Sequence, residues 1–443
     1  MDEDFSRHTV FSGHDSKTER IGLKTQNVPI IPPDFTRLYS NAGHILDNCC
    51  HAMCSLSCRS KRMEAPMKEK IIRFFRRETV LCAAFALAIC SMFLVPPDSE
   101  YASYIDFRTL AILFCLMSVM SGLQKTGVFQ WVAQALLGRV RNAVQLTWIL
   151  VLLCFFSSMA ITNDVALITF VPFTFIVLDL TGREAKKRLT VPVVVMQTVA
   201  ANLGSMLTPI GNPQNLYLYG KAGISLGSFL LLMLPYTLVS FLLVMIGSTI
   251  PSRGCNIPID ISFDRKISLS DKIVPLSAYM VLFVLDLLTV ARVIPYPLTL
   301  ILTVIGLLLI DKAVFALVDY SLLLTFAGFF IFTGNMGRLP AFYDFLQRIV
   351  SGYELLVGTA ASQVISNVPA ALLLSEFAND LPALLIGVNI GGLGTLIASM
   401  ASLISYKFIV REEGEQKGRY FRCFTAVNIV FLAILLLFAF IGT

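Results

Sequence analysis

Histidine is scarce: all four, His8, His14, His44 and His51, lie in the polar N-terminal stretch, so no apolar segment offers an imidazole for catalysis or metal binding. Charge is scarce too, at 14% of residues, and no basic residue falls in the middle of a long apolar segment. A Walker A pattern is missing, which removes ATP hydrolysis by the chain itself. Paired CxxC knuckles are also missing. Cys49, Cys50, Cys54 and Cys58 lie near His44 and His51 at a spacing that could hold a metal, but reduced thiols in a cytoplasmic tail are the plainer reading. Cys82, Cys90, Cys115 and Cys154 lie in apolar segments as small core- or lipid-facing residues, so no disulfide framework is implied.

What the chain has in abundance is apolar surface. With 56% hydrophobic residues and 33 Phe, it carries several stretches of about 18 or more apolar residues, which have no place in a water-facing fold. The sequence therefore reads as an all-α polytopic membrane protein with the lipid bilayer as its solvent. The formal charge of +6 is concentrated in loops, where it bears on orientation and gives no argument for nucleic acid as a partner. The charged start, MDEDFSRHTVFSGHDSKTER, resembles no cleavable signal peptide.

Nine crossings are expected, at about 79 to 96, 108 to 123, 190 to 218, 226 to 250, 273 to 291, 296 to 311, 320 to 335, 382 to 406 and 423 to 441. Basic residues from Arg59 to Arg77 put the N-terminus in the cytoplasm, and the alternation of basic and non-basic loops leaves the C-terminus outside, as in a multi-pass plasma-membrane protein. Lys125, Arg139 and Arg141 on one side, and Arg183, Lys186, Lys187 and Arg188 on the other, all read as inside, so the stretch 143–180 enters and leaves on one face. A second hairpin, 355–375, lies between Glu354 and Glu376 on the outside. Its arms of about ten residues reach half the ~30 Å core. The expected organisation is a cytoplasmic tail 1–77, a first repeat 78–250 with hairpin 143–180, a linker 251–272, and a second repeat 273–443 with hairpin 355–375. Each repeat reads as helix, helix, re-entrant hairpin, broken helix, helix; the first hairpin is long enough for two full crossings and reads as re-entrant by symmetry with the second. The two have inverted topology, and the helix at 273 to 291 is extra.

Both hairpins carry an asparagine motif, Thr162-Asn163-Asp164 in the first and Ser366-Asn367 in the second. Each is followed by an interrupted apolar segment, 202–216 and 389–403. Laid over each other without a gap, these segments share Asn (202, 389), Gly (204, 391), Thr (208, 395), Ile (210, 397) and Leu (216, 403), and Asn212 and Asn215 fall on Ser399 and Ser402. A duplicated half accounts for this pattern. Gly204, Gly211, Gly391, Gly392 and Gly394 would accept unwound backbone angles, and Pro209 and Pro213 remove helical donors. A charged Asp164 at mid-membrane would cost about 2.5 to 3.5 kcal/mol on insertion scales, so it asks for a function. Half-helix N-termini suit an anion, while freed carbonyls and Asn or Ser oxygens suit a desolvated cation, with Na⁺ near Asn163, Gly204, Asn367 and Gly391. A plain kinked helix packed through small residues is the competing reading of each motif alone. Asp286, in the extra helix, is either a coupling acid or a residue facing a polar crevice.

At these residues the chain resembles the ion transporter superfamily, which includes arsenite permeases, citrate and dicarboxylate/sodium symporters and a group of sodium/proton antiporters. TNDVAL, LTPIGNPQN and SQVISNVP carry the resemblance, which covers about 79 to 441 and is strongest to an anion-permease-like branch near the arsenite permeases. It implies a scaffold domain and a transport domain, an elevator motion, a homodimer, and no cofactor beyond Na⁺ or H⁺ as coupling ion. It also implies substrate or ion contacts at Thr162, Asn163, Asp164, Gly204, Thr208, Pro209, Asn212, Asn215, Ser366, Asn367, Gly391, Gly392, Thr395 and Ser399. In the dicarboxylate symporters both tips read Ser-Asn-Thr. Here Asp164 would repel a dianion and Val368 lacks the hydroxyl, so a neutral or weakly anionic oxyacid, or cation/proton exchange, gains ground. The expectation is a secondary active transporter of a small organic or inorganic anion. The alternatives are an oxyanion permease working with a separate ATPase, and a sodium/proton antiporter.

Overall fold

The computed structural model describes residues 78–138, 140–252 and 268–442; the tail with its cysteines and histidines, and most of the linker, lie outside the described residues. The described chain is helical, with no strand. The first repeat comprises α1 (Thr79–Leu94), α2 (Phe107–Thr126), α3 (Val128–Leu137), α4 (Ala143–Ile161), α5 (Asn163–Leu180), α6 (Arg183–Ser205), α7 (Pro213–Ala222) and α8 (Leu226–Ser252). The extra helix α9 (Ile273–Val290) follows. The second repeat comprises α10 (Tyr296–Ile310), α11 (Tyr320–Gly337), α12 (Pro340–Val350), α13 (Glu354–Ile365), α14 (Asn367–Leu374), α15 (Leu381–Ile390), α16 (Met400–Glu412) and α17 (Lys417–Gly442). Among the described residues, seven helices are long and apolar enough to cross a membrane by length and composition, and two of them are α4 and α5, so the arms of the first hairpin, at 19 and 18 residues, are full-length where a re-entrant hairpin was expected.

Both hairpins and both interruptions fall where the motifs put them, between α4 and α5, α13 and α14, α6 and α7, and α15 and α16. The expected repeat pattern was incomplete, however: each half also contains a short amphipathic helix before its hairpin, α3 and α12. At 10 and 11 residues, these are too short to register as crossings. The correspondence reaches the caps. Asp106 accepts from the Thr109 amide at the start of α2, and Asp319 accepts from the Leu322 amide at the start of α11, both at 3.0 Å.

α6 is the central helix. Every residue from Leu189 to Ser205 is buried, as expected for a helix apolar on all sides. α4, α5 and α8 pack on it, and α17 of the second repeat crosses to it, while α16 packs against α5. A second group forms where α1 packs on α11 and where α2 packs on α9 and α10. The apolar residues left exposed, such as Leu231 on α8 and Leu309 on α10, give the bundle an outer surface suited to hydrocarbon.

Ion pairs gather at the two ends of the bundle, and each joins segments that the loop charges put on one side. At the end assigned to the cytoplasm, Lys125 pairs with Asp311 at 2.5 Å, and Lys186 meets both Asp179 at 2.6 Å and Glu413 at 2.9 Å. At the other end, Arg338 meets Asp98 at 2.6 Å and Lys221 pairs with Glu376. Lys186 ties the end of α5 to the end of α16, and so one repeat to the other. Burial pushes the Glu413 carboxyl up, but hydrogen bonds from Lys186 and Gln416 outweigh it and hold the group below its usual range. A depressed carboxyl contributes stability above its unfolded value and loses it as pH falls through the folded one. Glu413→Gln should therefore cost about 1 kcal/mol at neutral pH. It should also flatten part of the stability loss seen in thermal unfolding below about pH 4.3, the ordinary Glu value.

Candidate functional site

Each hairpin turns on a single non-glycine residue in the left-handed half of backbone space, Thr162 at φ 70°, ψ 153° and Ser366 at φ 74°, ψ 154°. Such angles cost of order 1–3 kcal/mol and persist only where surrounding contacts impose them. The contacts here are the interruptions. The Asn163 amide donates to the Gly211 carbonyl at 3.2 Å, and the Asn367 amide donates to the Ala398 carbonyl at 3.0 Å. Gly211 and Ala398 occupy the same place in the two repeats.

A threonine locks each junction. Thr208 Oγ1 donates to the Met159 carbonyl at 2.5 Å and accepts from the Gly211 amide. Thr395 Oγ1 donates to the Gln363 carbonyl at 2.9 Å and accepts from the Ala398 amide. Met159 and Gln363 are again equivalent, each four residues before its asparagine. The resulting tip-and-break unit satisfies backbone groups that hydrocarbon cannot.

The glycines act differently from the sequence expectation. Among the five expected to unwind, only Gly394 has a positive φ, at 106°. Gly204 and Gly391 serve close approach instead: a Cβ on Gly204 would lie 2.1 Å from the Phe155 carbonyl oxygen and 2.7 Å from Ser158 Oγ, and one on Gly391 would lie 2.8 Å from Ser362 Oγ. Gly211 is pressed on the Ser205 carbonyl and Gly392 on Asn367 Nδ2, for the same reason.

The two units meet through Asn202. Its Oδ1 accepts from Asn163 Nδ2 at 3.0 Å and from Ser399 Oγ at 2.9 Å, linking the first tip, the first interruption and the second interruption. Reciprocally, Asn389 Nδ2 donates to Asn215 Oδ1 at 2.7 Å. Asn212 and Asn215 hold the first interruption closed through Ser205 and Thr208. Pro209 lies within that interruption, and Ser366 Oγ reaches toward the Ala398 carbonyl at 3.4 Å. The structure thus brings the predicted residues into one cluster spanning both repeats.

Sequence reading passed over three members. Asn202 and Asn389 stand in the sequence as matching positions of the two repeats, and that repetition is itself the signal. Gln363 donates to the carbonyls of Gly391 and Leu393 and accepts from the Thr395 amide, and it sits inside SQVISNVP. Gln214 is fully buried with neither side-chain polar atom paired. Asn202 Nδ2, Asn212 Oδ1, Asn389 Oδ1, Ser402 Oγ and Asp164 Oδ1 are likewise enclosed and unpaired. Native structures seldom leave such atoms idle, so they mark the places where a ligand could bond. Asp164 does not cap the second arm. Thr162 takes that place, with its Oγ1 accepting from the Val165 amide, and the Asp164 amide bonds Asn163 Oδ1.

The run Gly223-Ile224-Ser225-Leu226-Gly227 has the spacing of a serine nucleophile elbow, but it joins two helices rather than a strand and a helix. Ser225 caps α8, accepting from the Ser228 amide at 3.1 Å. Among the described residues no group of His, Cys, Asp and Glu could hold a metal ion.

Comparison with known proteins agrees with this architecture. Residues 69–383 match the model of a family described as citrate transporter. An uncharacterized transporter of Methanocaldococcus jannaschii is 31% identical over 77% of this chain and 91% of its own length. The inner membrane protein YbiR of Escherichia coli is 29% identical over 71% of this chain and 83% of its own. A silicon efflux transporter of Oryza sativa subsp. japonica is 34% identical over 142 residues, 32% of this chain and 28% of its own. With paired tip-and-break units in inverted halves and a family match over most of its length, the chain belongs to the citrate transporter family of membrane transporters.

Proposed function

We propose that the protein is a secondary active transporter of a small oxyacid or weakly charged anion, coupled to H⁺ or Na⁺. The observation that carries this reading is the Asn163–Asn202–Ser399 link, which gathers unpaired amide and hydroxyl groups of both repeats at one point inside an apolar bundle. The N-termini of α5, α7, α14 and α16 all lie at these junctions, so positive dipole ends are available to substrate oxygens without a basic side chain. Amide groups both donate and accept, which suits a ligand carrying hydroxyls as well as oxo groups. Silicon efflux by the rice relative is in keeping with an oxyacid substrate. The α4–α8 and α13–α17 assembly would move past the α1–α2–α9–α10–α11 group in an elevator motion, in a plasma-membrane homodimer with a cytoplasmic N-terminus and an external C-terminus. Uptake into proteoliposomes of silicate, arsenite, phosphate, sulfate, succinate and citrate, under imposed Na⁺ or pH gradients, tests the reading. Failure of all six under both gradients would reject it.

Asn163→Ala and Asn367→Ala each remove one buried polar partner without adding charge. Each should lower uptake roughly 10- to 100-fold while the protein still inserts, the scale of leaving a buried group unsatisfied. Unchanged uptake in either variant would reduce that tip to packing. Thr208→Val and Thr395→Val remove a lock and not a ligand, so they should lower thermal stability, by about 1–2 kcal/mol, at least as clearly as they lower uptake.

Asp164 favours a second reading, cation/proton exchange. Its Oδ1 is enclosed without a partner, and the acid has no counterpart in the second tip, where Val368 stands. A carboxyl placed so can carry a proton or ligate Na⁺. Asp164→Asn should preserve substrate binding, read as stabilisation of the protein against thermal unfolding by the transported substrate, and abolish the dependence of uptake on the driving ion. Retention of the parent's Na⁺ and pH dependence would remove Asp164 from coupling.

A further inference from the structure

The extra helix α9 has no equivalent in the first repeat, and it carries an acid that the central site does not use. Asp286 is 1% exposed, and neither carboxyl oxygen has a hydrogen-bond partner. It lines a narrow cleft between α2, α9 and α10 with Ala111, Ile112, Cys115, Thr289, Tyr296 and Thr299. Thr303 Oγ1, fully buried and also unpaired, is its polar neighbour, close enough to interact but outside hydrogen-bonding geometry.

No basic side chain lines this cleft. The titratable groups facing Asp286 are the buried Cys115 thiol on α2 and the Tyr296 phenol on α10. Of the other charged residues on the helices packed here, Lys125 pairs with Asp311 at the opposite end of α2, and Arg108 lies on the first turn of α2. Arg292, just past α9, is engaged elsewhere: its guanidinium donates to the Tyr219 and Gly223 carbonyls. An ionised carboxyl with neither donor nor counter-charge is the costliest group an apolar bundle can hold. A single proton removes the charge and supplies a donor, for which Thr303 Oγ1 is the adjacent acceptor.

We propose that Asp286 is a proton-binding site built into the α2–α9–α10 group, separate from the tip-and-break cluster. Its proton is exchanged from the Val290 end of α9, along the hydroxyls of Thr289 and Thr299, which share a hydrogen bond of 2.5 Å. The site is also placed to act on the moving part. One helical turn beyond Asp286, the Val290 carbonyl accepts from Tyr219 of α7 at 3.1 Å, and Arg292 grips the same stretch of α7. Ionisation of Asp286 would demand a new partner within this cleft and so disturb the surface against which α7 is held.

Infrared spectroscopy of the purified protein tests the site directly. The parent minus Asp286→Asn difference spectrum at neutral pH should contain a protonated-carboxyl C=O band, and Thr303→Val should keep that band but shift it. If Asp286→Asn does not fold, Thr303→Val against the parent still reads the same band. The parent's unfolding temperature should carry a fall with pH that opens above about 3.9, the ordinary Asp value, since the folded state retains a proton that the unfolded chain releases, and Asp286→Asn should show a smaller fall. Absence of the band, or an equal pH response in parent and Asp286→Asn, overturns the proposal. So does a stabilisation by Na⁺ over choline at fixed pH that Asp286→Asn abolishes, because the cleft would then be a cation site.

Discussion

A backbone interrupted inside a bilayer must find its hydrogen bonds within the protein, and the rest of this structure follows from how that is done. Neither a helix break nor a hairpin tip is self-sufficient in hydrocarbon: one exposes carbonyls, the other exposes amides at the start of its second arm. Here they complete each other. The tip amides of Asn163 and Asn367 go to the carbonyls of Gly211 and Ala398, and Thr208 and Thr395 bridge back to the first arm. The left-handed angles of Thr162 and Ser366 are the cost of that fit, and the missing Cβ atoms of Gly204 and Gly391 are its steric condition. Hairpin and broken helix are thus one folding unit, duplicated with inverted topology.

The two copies are not equally covered. Ile161 and Ile210 at the first junction are 3% and 8% exposed, whereas their equivalents Ile365 and Ile397 are 37% and 54% exposed. Helix packing accounts for the difference. α8 folds back over α4 and α6 of its own repeat, while the equivalent α17 crosses to α6 and α16 and leaves α13 largely uncovered. The side-chain chemistry diverges in step: the first interruption is held by Asn212, Asn215 and Ser205, the second by Gln363 from its own hairpin. Two repeats built on one pattern thus present two different surfaces.

Much of this was legible in the sequence because a bilayer penalises polar groups so heavily that each one inside a span carries information. The expected limits of the first hairpin, 143 and 180, coincide with the start of α4 and the end of α5, since loop charge and asparagine spacing both constrain them. The amphipathic α3 and α12 escaped because ten residues of mixed polarity fall below the signal of a crossing. The role of the glycines is hidden for a different reason: sequence cannot separate a glycine needed for its angles from one needed for its size. Nor could it show which asparagine meets which, because the Asn202–Ser399 and Asn389–Asn215 bonds join residues far apart in the chain.

Among the described residues, no basic side chain belongs to the cluster, which narrows its chemistry. A dianion would have to be neutralised by helix N-termini alone, each worth a fraction of a charge, with the Asp164 carboxyl standing against it at the first tip. A neutral or singly charged polyhydroxy acid, as the proposed function has it, would meet no such opposition: Asn202 Nδ2 and Gln214 Nε2 are unpaired donors for oxo groups, and Asn212 Oδ1, Asn389 Oδ1 and Gln214 Oε1 are unpaired acceptors for hydroxyls. Within that set, Asp164 changes from a liability to an asset. On the proposed function, a carboxyl repels an oxyacid only while ionised, so a proton or Na⁺ held at Asp164 would lift that repulsion and couple the two movements through electrostatics alone.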